Sequence, residues 1–188
     1  MLCSAYKFYG PHISFLYSKP GVLNDLNPDR LVVQDQEAPY IIETGTLNHA
    51  ACSGVSAAID FISSLGKGST YREKLESAYL QISDHEFNLA KHLYESLEDF
   101  DKTTVIGPDF STRKRTPTVS FVHSEYSPQE VCALLAKQNI CAWDGHFYAL
   151  KAIQQLGLES RGGVTRLGIS LYNTRKEIDR VIEVIKSI

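Results

Sequence analysis

The chain has 188 residues, of which 43% are hydrophobic and 22% charged, and its formal net charge is -3. This composition is typical of one globular domain, or one and a fraction, and the mild negative charge argues against a nucleic-acid-binding surface. No apolar stretch approaches the length that crosses a bilayer, so we expect no membrane partner. The only basic run, Arg113-Lys114-Arg115, is interpreted as a solvated loop before a strand.

The cysteines indicate a reducing environment. Cys3, Cys52, Cys132 and Cys141 form no CxxC pair and no zinc-ligand spacing with histidine. We therefore expect free thiols, no metal site and a cytoplasmic location. The first residues show no charged segment followed by an apolar run, which argues against a signal peptide.

The first third of the chain predicts little regular structure before its first helix. Residues 12–17 are rich in β-forming side chains and predict a short strand, which ends at the turn signal around Pro20. Residues 22–40 are polar and irregular, and residues 43–48 form a polar loop with a glycine. A helix follows, because apolar side chains recur there at helical spacing. They are Ala51, Val55, Ala58, Ile59 and Ile62.

Three capping boxes predict where the later helices begin. In each box, a Ser or Thr and a Glu three residues later satisfy free amides of the first helical turn. The boxes are Thr70–Glu73, Ser127–Glu130 and Thr174–Glu177. They predict a long helix to about Leu97, a helix to about Gln138 and a final helix to Ile188.

Strands and one short helix fill the spaces between these helices. We predict strands over residues 117–122, 140–143 and 163–170, and a helix over 149–156. The expected fold class is α/β. Residues 1–66 are interpreted as the remnant of a larger α/β domain, and residues 67–188 as a small α+β domain that begins with the long helix.

Lys7 is the first candidate for chemistry, since it lies among aromatic side chains in the run Tyr6-Lys7-Phe8-Tyr9. A lysine amine attacks an aldehyde only when it is neutral, and the ordinary lysine pKa is about 10.4, so a reactive lysine needs burial or a neighbouring cation. Ser4 lies three residues earlier and suits a phosphate. The alternative is a solvated lysine, which is the common state of this side chain.

Three segments resemble motifs of the class V aminotransferases, a family of fold-type I enzymes that use pyridoxal 5'-phosphate (PLP). The family contains cysteine desulfurases, selenocysteine lyases and isopenicillin N epimerase-like proteins. Residues 4–11 resemble its lysine motif, residues 43–48 its Thr-Gly-Thr loop, and residues 164–174 its C-terminal arginine strand and the start of its last helix. The three occur in the family's order, and the resemblance runs over essentially the whole chain.

The resemblance implies a role for each matching residue. Lys7 would hold the aldehyde of PLP, and Ser4 would bind its phosphate. Thr46, beside the backbone of Gly45, would reach the phosphate of a partner subunit across a homodimer interface. Arg166 would bind the carboxylate of an amino-acid substrate, which suits the planar, permanently charged guanidinium. From the residues alone, Thr46 could instead be a helix N-cap and Arg166 a surface salt-bridge partner.

One loop departs from the desulfurase pattern. In that branch a cysteine after a Gly-His pair takes up sulfur, whereas here Tyr148 stands at the comparable position after Gly145-His146-Phe147. None of the cysteines falls in this loop, so we expect no persulfide relay through it. His146 is a candidate acid–base or substrate-binding group, with a structural role in the turn as the alternative.

The other departure concerns the segment before the lysine. Family members have a long N-terminal portion that supplies most of the sheet and the residues that tune the cofactor ring. We therefore expect this chain to be the C-terminal portion of such an enzyme and to lack PLP-dependent turnover alone. The rival hypothesis is a non-catalytic module for dimerisation or partner binding. A cut sheet would also leave an apolar edge that favours self-association.

Overall fold

A computed structural model describes residues 1–111 and 115–188. These residues form two compact units, Met1–Tyr79 (unit 1) and Leu80–Ile188 (unit 2). The boundary falls inside the longest helix, and the division into a large-domain remnant (1–66) and a small domain (67–188) stays a prediction. Within the basic run, Arg113 and Lys114 lie outside the described residues.

Unit 1 begins with two short antiparallel strands, β1 (Leu2–Ser4) and β2 (Ser14–Leu16), in which Cys3 pairs with Phe15. The predicted strand over 12–17 is confirmed in its central three residues, whereas β1 is not foreseen by the sequence. Between the strands lies a single 3-10 turn, Ala5–Phe8. A second such turn, a helix and the start of the longest helix complete the unit: Tyr40–Ile42, α1 (His49–Leu65) and α2 (Tyr71–Glu98).

The loop between β1 and β2 is closed by backbone hydrogen bonds around Ala5. Its N–H donates to the carbonyl of Ile13 over 2.8 Å, and its carbonyl accepts from the N–H of Gly10 over 2.9 Å. A Cβ at position 10 would lie 2.9 Å from the Cβ of Ala5, closer than real Cβ contacts come. Glycine at this position therefore allows the chain to fold back tightly over the 3-10 turn.

The N-cap of α1 is not Thr46, whereas the predicted capping box of α2 is present. The N-cap of α1 is Asn48, whose Oδ1 accepts from the N–H of Ala51 over 3.0 Å, so a capping role for Thr46 is wrong. The capping box of α2 is confirmed: the Glu73 N–H donates to Thr70 Oγ1 over 3.2 Å, and the Thr70 N–H donates to Glu73 Oε2 over 3.0 Å.

Unit 2 is built on a four-stranded antiparallel sheet with the strand order β3-β4-β6-β5. The strands are β3 (Thr103–Ile106), β4 (Thr118–His123), β5 (Trp143–Gly145) and β6 (Val164–Gly168). The helices that follow α2 are α3 (Pro128–Lys137), α4 (Leu150–Gln155) and α5 (Arg175–Lys186). Both remaining capping boxes, at the starts of α3 and α5, are confirmed.

Two strand predictions in unit 2 need correction. No strand is predicted at β3, although Thr103-Thr104-Val105-Ile106 is rich in β-branched residues. The strand expected at 140–143 lies at Trp143–Gly145 instead. Residues 140–142 precede it as a connection after α3, with Ile140 packed against the core.

The two faces of the sheet bury different clusters of side chains. Phe121 and Leu167 face the larger cluster with α2, α3 and α5, which include the fully buried Leu97, Leu135 and Ile185. Since successive strand residues point to opposite faces, Val122 and Val164 face the other way. There they form a smaller cluster with Ile153 of α4. In the part of the chain that the structure describes, no helix is both long and apolar enough to cross a membrane.

Candidate functional site

Lys7 lies on the 3-10 turn of unit 1, with an exposed side chain. Its Nζ is 5.7 Å from the centroid of the Tyr6 ring, and that ring stacks on His12 with centroids 4.6 Å apart. Phe8 is half-buried and contacts Phe15 edge to face at 5.9 Å. The aromatic neighbours therefore anchor the turn, while the amine itself points to solvent.

Ser4 ends β1 and immediately precedes the turn that carries Lys7. The side chain of Ser4 is half-buried and makes no capping hydrogen bond to the turn, so the backbone does not consume its hydroxyl. Tyr9, on the far side of the turn, adopts the left-handed conformation at φ 70°. The segment thus presents one hydroxyl at the start of the turn and one amine three residues later. Backbone hydrogen bonds of Ala5 to Ile13 and Gly10 close the loop around this turn.

Gly45 and Thr46 lie in the exposed loop between the second 3-10 turn and α1. A Cβ at Gly45 would meet nothing within 4 Å, so there is open space beside the Cα of this residue. Because Asn48 caps α1, the helix start does not require the Thr46 hydroxyl. Hydroxyls and open backbone amides are suitable partners for a phosphate.

Arg166 lies in a pocket of unit 2 with a volume of about 510 Å³, lined also by residues 143–148. On β6, Arg166 is exposed while its neighbours Thr165 and Leu167 are buried, and it pairs with Ser120 on one side and Trp143 on the other. Within residues 1–111 and 115–188, no carboxylate lies within 4.0 Å of the guanidinium, and none of these residues accepts a hydrogen bond from it. The alternative role in a surface salt bridge is therefore wrong for these residues.

The loop after β5 forms the wall of this pocket. His146 is exposed, its Nδ1 accepts the N–H of Tyr148 over 3.1 Å, and its carbonyl accepts the N–H of Ala149 over 2.7 Å. His146 thus has a structural role in the turn, while its Nε2 has no hydrogen-bond partner among the described residues. Phe147 lies under Arg166, with the guanidinium carbon 3.8 Å from the ring centroid. Tyr148 is fully exposed.

The cysteines differ sharply in their surroundings, and all are free thiols. Cys52 and Cys141 are exposed, and Cys3 is half-buried in β1. Burial, with the nearby carboxylate of Asp144, raises the pKa of the Cys132 thiol to about 11. A thiol with so high a pKa carries little thiolate at neutral pH and is a poor sulfur acceptor. The described residues contain no group of three His, Cys, Asp or Glu side chains that could hold a metal ion.

Comparison with known proteins identifies the family. The class-V aminotransferase family matches residues 1–181, and the chain belongs to it. A cysteine desulfurase of Serratia proteamaculans is 28% identical over 192 residues, which cover 95% of this chain and 43% of that protein. The chain therefore spans less than half the length of this relative.

Solved structures agree on the fold. The cysteine desulfurase CsdA of Escherichia coli, in its S-sulfonic acid form, matches with a TM-score of 0.79 and 22% identity, over 99% of this chain and 45% of that one. A C-DES mutant with glycine covalently linked to the PLP cofactor matches with a TM-score of 0.66 and 15% identity, over 96% and 43% of the two chains. The fold is thus α/β, part of the PLP-dependent fold-type I, as the sequence predicts.

The candidate residues lie in three places, one of which is the exposed loop of Gly45 and Thr46 in unit 1. Ser4 and Lys7 share the first turn of unit 1, and His146 shares the pocket of unit 2 with Arg166. Phe147 is a pocket residue that the sequence analysis does not assign a role. No spacing rule connects a loop residue with an arginine on a later strand, so only the folded sheet reveals their contact.

Proposed function

We propose that this chain is the C-terminal part of a PLP-dependent enzyme that acts on an amino acid, as a lyase or transferase similar to the cysteine desulfurases. The observation that carries the proposal is the segment from Ser4 to Lys7, which presents a half-buried hydroxyl that does not cap the turn and, three residues later, an exposed amine. It lies in a chain that matches the family through residues 1–181. Since the chain covers under half of its relatives, the activity proposed is that of a longer protein.

The residues present fit PLP chemically. The Lys7 amine would hold the aldehyde, and the Ser4 hydroxyl would hold the phosphate. Gly45 and Thr46 offer an open amide and a hydroxyl that capping does not consume, which supports a second phosphate contact contributed across a homodimer interface. When bound, PLP supplies an electron sink for negative charge that develops on a substrate carbon.

The remaining roles belong to the protein. Lys7 Nζ would accept and return a proton at the substrate carbon once the longer protein shields it from water, because a neutral amine is required for that transfer. Arg166 would orient the substrate carboxylate through two parallel N–H donors. His146 Nε2 could move a second proton at the mouth of the pocket. Tyr148 disfavours a persulfide relay through this loop, and the high pKa of Cys132 disfavours a relay through that thiol.

Reductive labelling tests the assignment of Lys7. The chain is incubated with limiting PLP, reduced with borohydride and digested, and the modified lysines are quantified by mass spectrometry. We expect Lys7 to be labelled well above Lys19, an exposed lysine in the same unit, and Ser4→Ala to lower the Lys7 signal alone. Lys19→Ala serves as the matched control for Lys7→Ala. Equal labelling of Lys7 and Lys19, unaffected by Ser4→Ala, would contradict the proposal.

A second candidate, a dimerisation or partner-binding module, is favoured by the exposed apolar side chains of unit 1. Val32 and Val33 are 99% and 93% exposed, and Leu31 is 59% exposed. Contiguous exposed apolar residues mark interaction surfaces in many proteins. Light scattering of the chain and of Val32→Lys tests this function. A larger species that the substitution dissociates supports it, and a monomer in both argues against it.

A further inference from the structure

We propose that Phe147 is a positioning residue, whose ring holds the Arg166 guanidinium as an open grip for a carboxylate. This inference deepens the proposed function and rests on it for the identity of the carboxylate, that of an amino acid. The juxtaposition that carries it is the 3.8 Å separation between the guanidinium carbon and the centroid of the Phe147 ring. At that separation a cation and an aromatic face attract each other.

The ring is itself held in place from below. Phe147 is half-buried and packs against the small cluster of Val122, Ile153 and Val164, so it connects this cluster to the Arg166 guanidinium on the same face of the sheet. Val164 and Arg166 are two residues apart on β6 and therefore point to the same face of the sheet. Phe147 covers that face at the point where the core ends and the pocket begins.

The backbone brings the loop to this face through two glycines. Gly145, at φ 117°, ends β5, and Gly163, at φ 97°, precedes β6. A Cβ at Gly163 would lie 2.3 Å from the carbonyl oxygen of Gly145, so a side chain at position 163 would force the two segments apart. Their close approach turns residues 146–148 back over β6, where Phe147 meets Arg166.

The loop keeps this geometry despite an unfavourable backbone. Phe147 and Tyr148 are consecutive residues in the left-handed region, with φ values of 50° and 62°, a conformation that non-glycine residues rarely adopt. His146 stabilises it by accepting hydrogen bonds from Tyr148 and Ala149. Strained conformations of this kind persist where the surroundings fix them, and they cluster at binding sites.

The stacked guanidinium keeps its hydrogen-bonding capacity for a ligand. Its N–H donors lie in its own plane, so stacking on a ring leaves all of them directed outward. Asp144 is the acidic residue of the pocket, but its carboxylate accepts a hydrogen bond from the Cys132 thiol. Moreover, Asp144 pairs with Thr165, so it faces the opposite side of the sheet from Arg166. A carboxylate that enters the pocket therefore meets a fixed cation with no competing acid within 4.0 Å among the described residues.

Nuclear magnetic resonance of the labelled 188-residue chain tests the positioning role without PLP. In the stacked geometry, we expect ring currents to shift the Arg166 Nε–H proton upfield relative to Arg175, whose Nε instead lies 3.2 Å from an Asp179 carboxylate oxygen. Phe147→Tyr keeps a ring and should keep the shift. Phe147→Leu keeps apolar bulk without a ring and should lose it.

Titration with sodium acetate, against sodium chloride at equal ionic strength, then measures the grip. We expect acetate to perturb the Arg166 side chain, and Phe147→Leu to weaken this affinity about two- to fivefold, as the loss of an exposed cation–π contact implies. Phe147→Tyr should restore it, which a merely structural defect would not predict. Unshifted Arg166 in the unsubstituted chain, an acetate response no larger than that to chloride, or full affinity in Phe147→Leu would each overturn the proposal.

These outcomes are separable from those for Lys7. A stacked, acetate-binding Arg166 beside an unlabelled Lys7 would keep the positioning role and remove the proposed PLP site. A labelled Lys7 beside an Arg166 that is neither stacked nor responsive to acetate would keep the proposed PLP site and remove the positioning role of Phe147. If Phe147→Leu fails to fold, the shift in the unsubstituted chain and Arg166→Lys, which replaces the planar fork with a point charge, still decide the question.

Discussion

Unit 1 and unit 2 use their apolar residues in opposite ways. In unit 1 the buried apolar side chains are few and mostly alanine: Ala5, Ile41, Ala51, Ala58, Ile62 and Ala78. Its larger side chains, including Leu2, Tyr17 and Val32, lie exposed. Unit 2 instead buries Phe121, Leu97, Leu135 and many others in one continuous cluster.

This contrast indicates which unit carries its own stability. The sheet of unit 2 is covered on both faces by side chains from its own helices, so its apolar area is removed from water within the unit. Unit 1 has a two-stranded sheet and two 3-10 turns, and such small sheets are marginal alone. The candidate cofactor turn thus lies in the unit with the smaller core, and the candidate carboxylate grip in the unit with the larger one.

Substitution of a core residue in unit 2 should give the greatest loss of stability. Phe121→Ala removes a fully buried ring from β4 and should lower the free energy of unfolding by about 3–5 kcal/mol, through lost burial and an unfilled cavity. The control, Val32→Ala, changes a side chain that is 99% exposed and should alter it by no more than about 0.5 kcal/mol. Denaturant unfolding followed by circular dichroism measures both. Similar losses in the two variants would show that burial of Phe121 contributes no more to stability than the exposed Val32.

Thiol reactivity should differ by orders of magnitude between Cys52 of unit 1 and Cys132 of unit 2. Cys52 in unit 1 is exposed, whereas Cys132 in unit 2 has its pKa raised to about 11 by burial and by Asp144. At pH 8 the thiolate fraction of Cys132 is roughly a hundredfold below that of an unperturbed thiol. Because the neutral thiol persists until the pH approaches 11, alkylation of Cys132 should rise about tenfold per pH unit across pH 8–10.

Iodoacetamide labelling with peptide mass spectrometry tests this prediction, and Asp144→Asn provides the control. Removing the carboxylate takes away a negative charge and should lower the pKa of Cys132 and speed its labelling, while Cys52 is unchanged. Equal rates for Cys52 and Cys132 at pH 8 would show that the two thiols share one environment.

One helix cap in each unit allows a matched test, in which each substitution should cost about 1 kcal/mol of helix stability. Asn48 caps α1 in unit 1 and Thr174 caps α5 in unit 2, each accepting an amide of the first turn. Replacing either by Ala should cost about 1 kcal/mol. Since α5 buries four large aliphatic side chains, we expect the loss at Thr174 to lower the unfolding free energy, and the loss at Asn48 to appear as faster amide exchange in α1.

Hydrogen exchange and denaturant unfolding of Asn48→Ala and Thr174→Ala give the two readouts. Thr174→Ser keeps the accepting oxygen and should keep most of the stability. If Asn48→Ala leaves α1 exchange unchanged, the cap is not what fixes the start of that helix.

The parts predictable from sequence are those with local signals. The three capping boxes, from Thr70 to Glu177, mark helix starts correctly because their hydrogen bonds connect residues three apart. The helix of the first third, α1, follows from its apolar spacing. The fold class follows from three family motifs in order, including the turn that carries Lys7.

What the sequence could not supply depends on distant pairings. β1 is a strand because it pairs with β2, with Cys3 opposite Phe15. Nothing within Leu2–Ser4 itself predicts this pairing. Thr46 and Asn48 are both plausible caps by type, and only the fold selects Asn48. Phe147 meets Arg166 because Gly145 and Gly163 approach each other, which is a property of the sheet rather than of either segment.

A gain of only a few tenths of a kcal/mol is expected from the strained loop of unit 2. Tyr148 adopts a left-handed backbone at φ 62°, and its side chain is fully exposed. Burial of the ring therefore does not offset the backbone strain. Tyr148→Gly should relieve about 1–2 kcal/mol of backbone strain and lose about 0.5–1 kcal/mol to the greater chain entropy of glycine when unfolded. The net gain of about 0.5 kcal/mol should appear as a small rise in the unfolding midpoint. Tyr148→Ala keeps the Cβ and should give no such gain. An equal gain in both variants would mean that the effect comes from the exposed ring and not from the backbone. Backbone strain at position 148 would then have no part in holding Phe147.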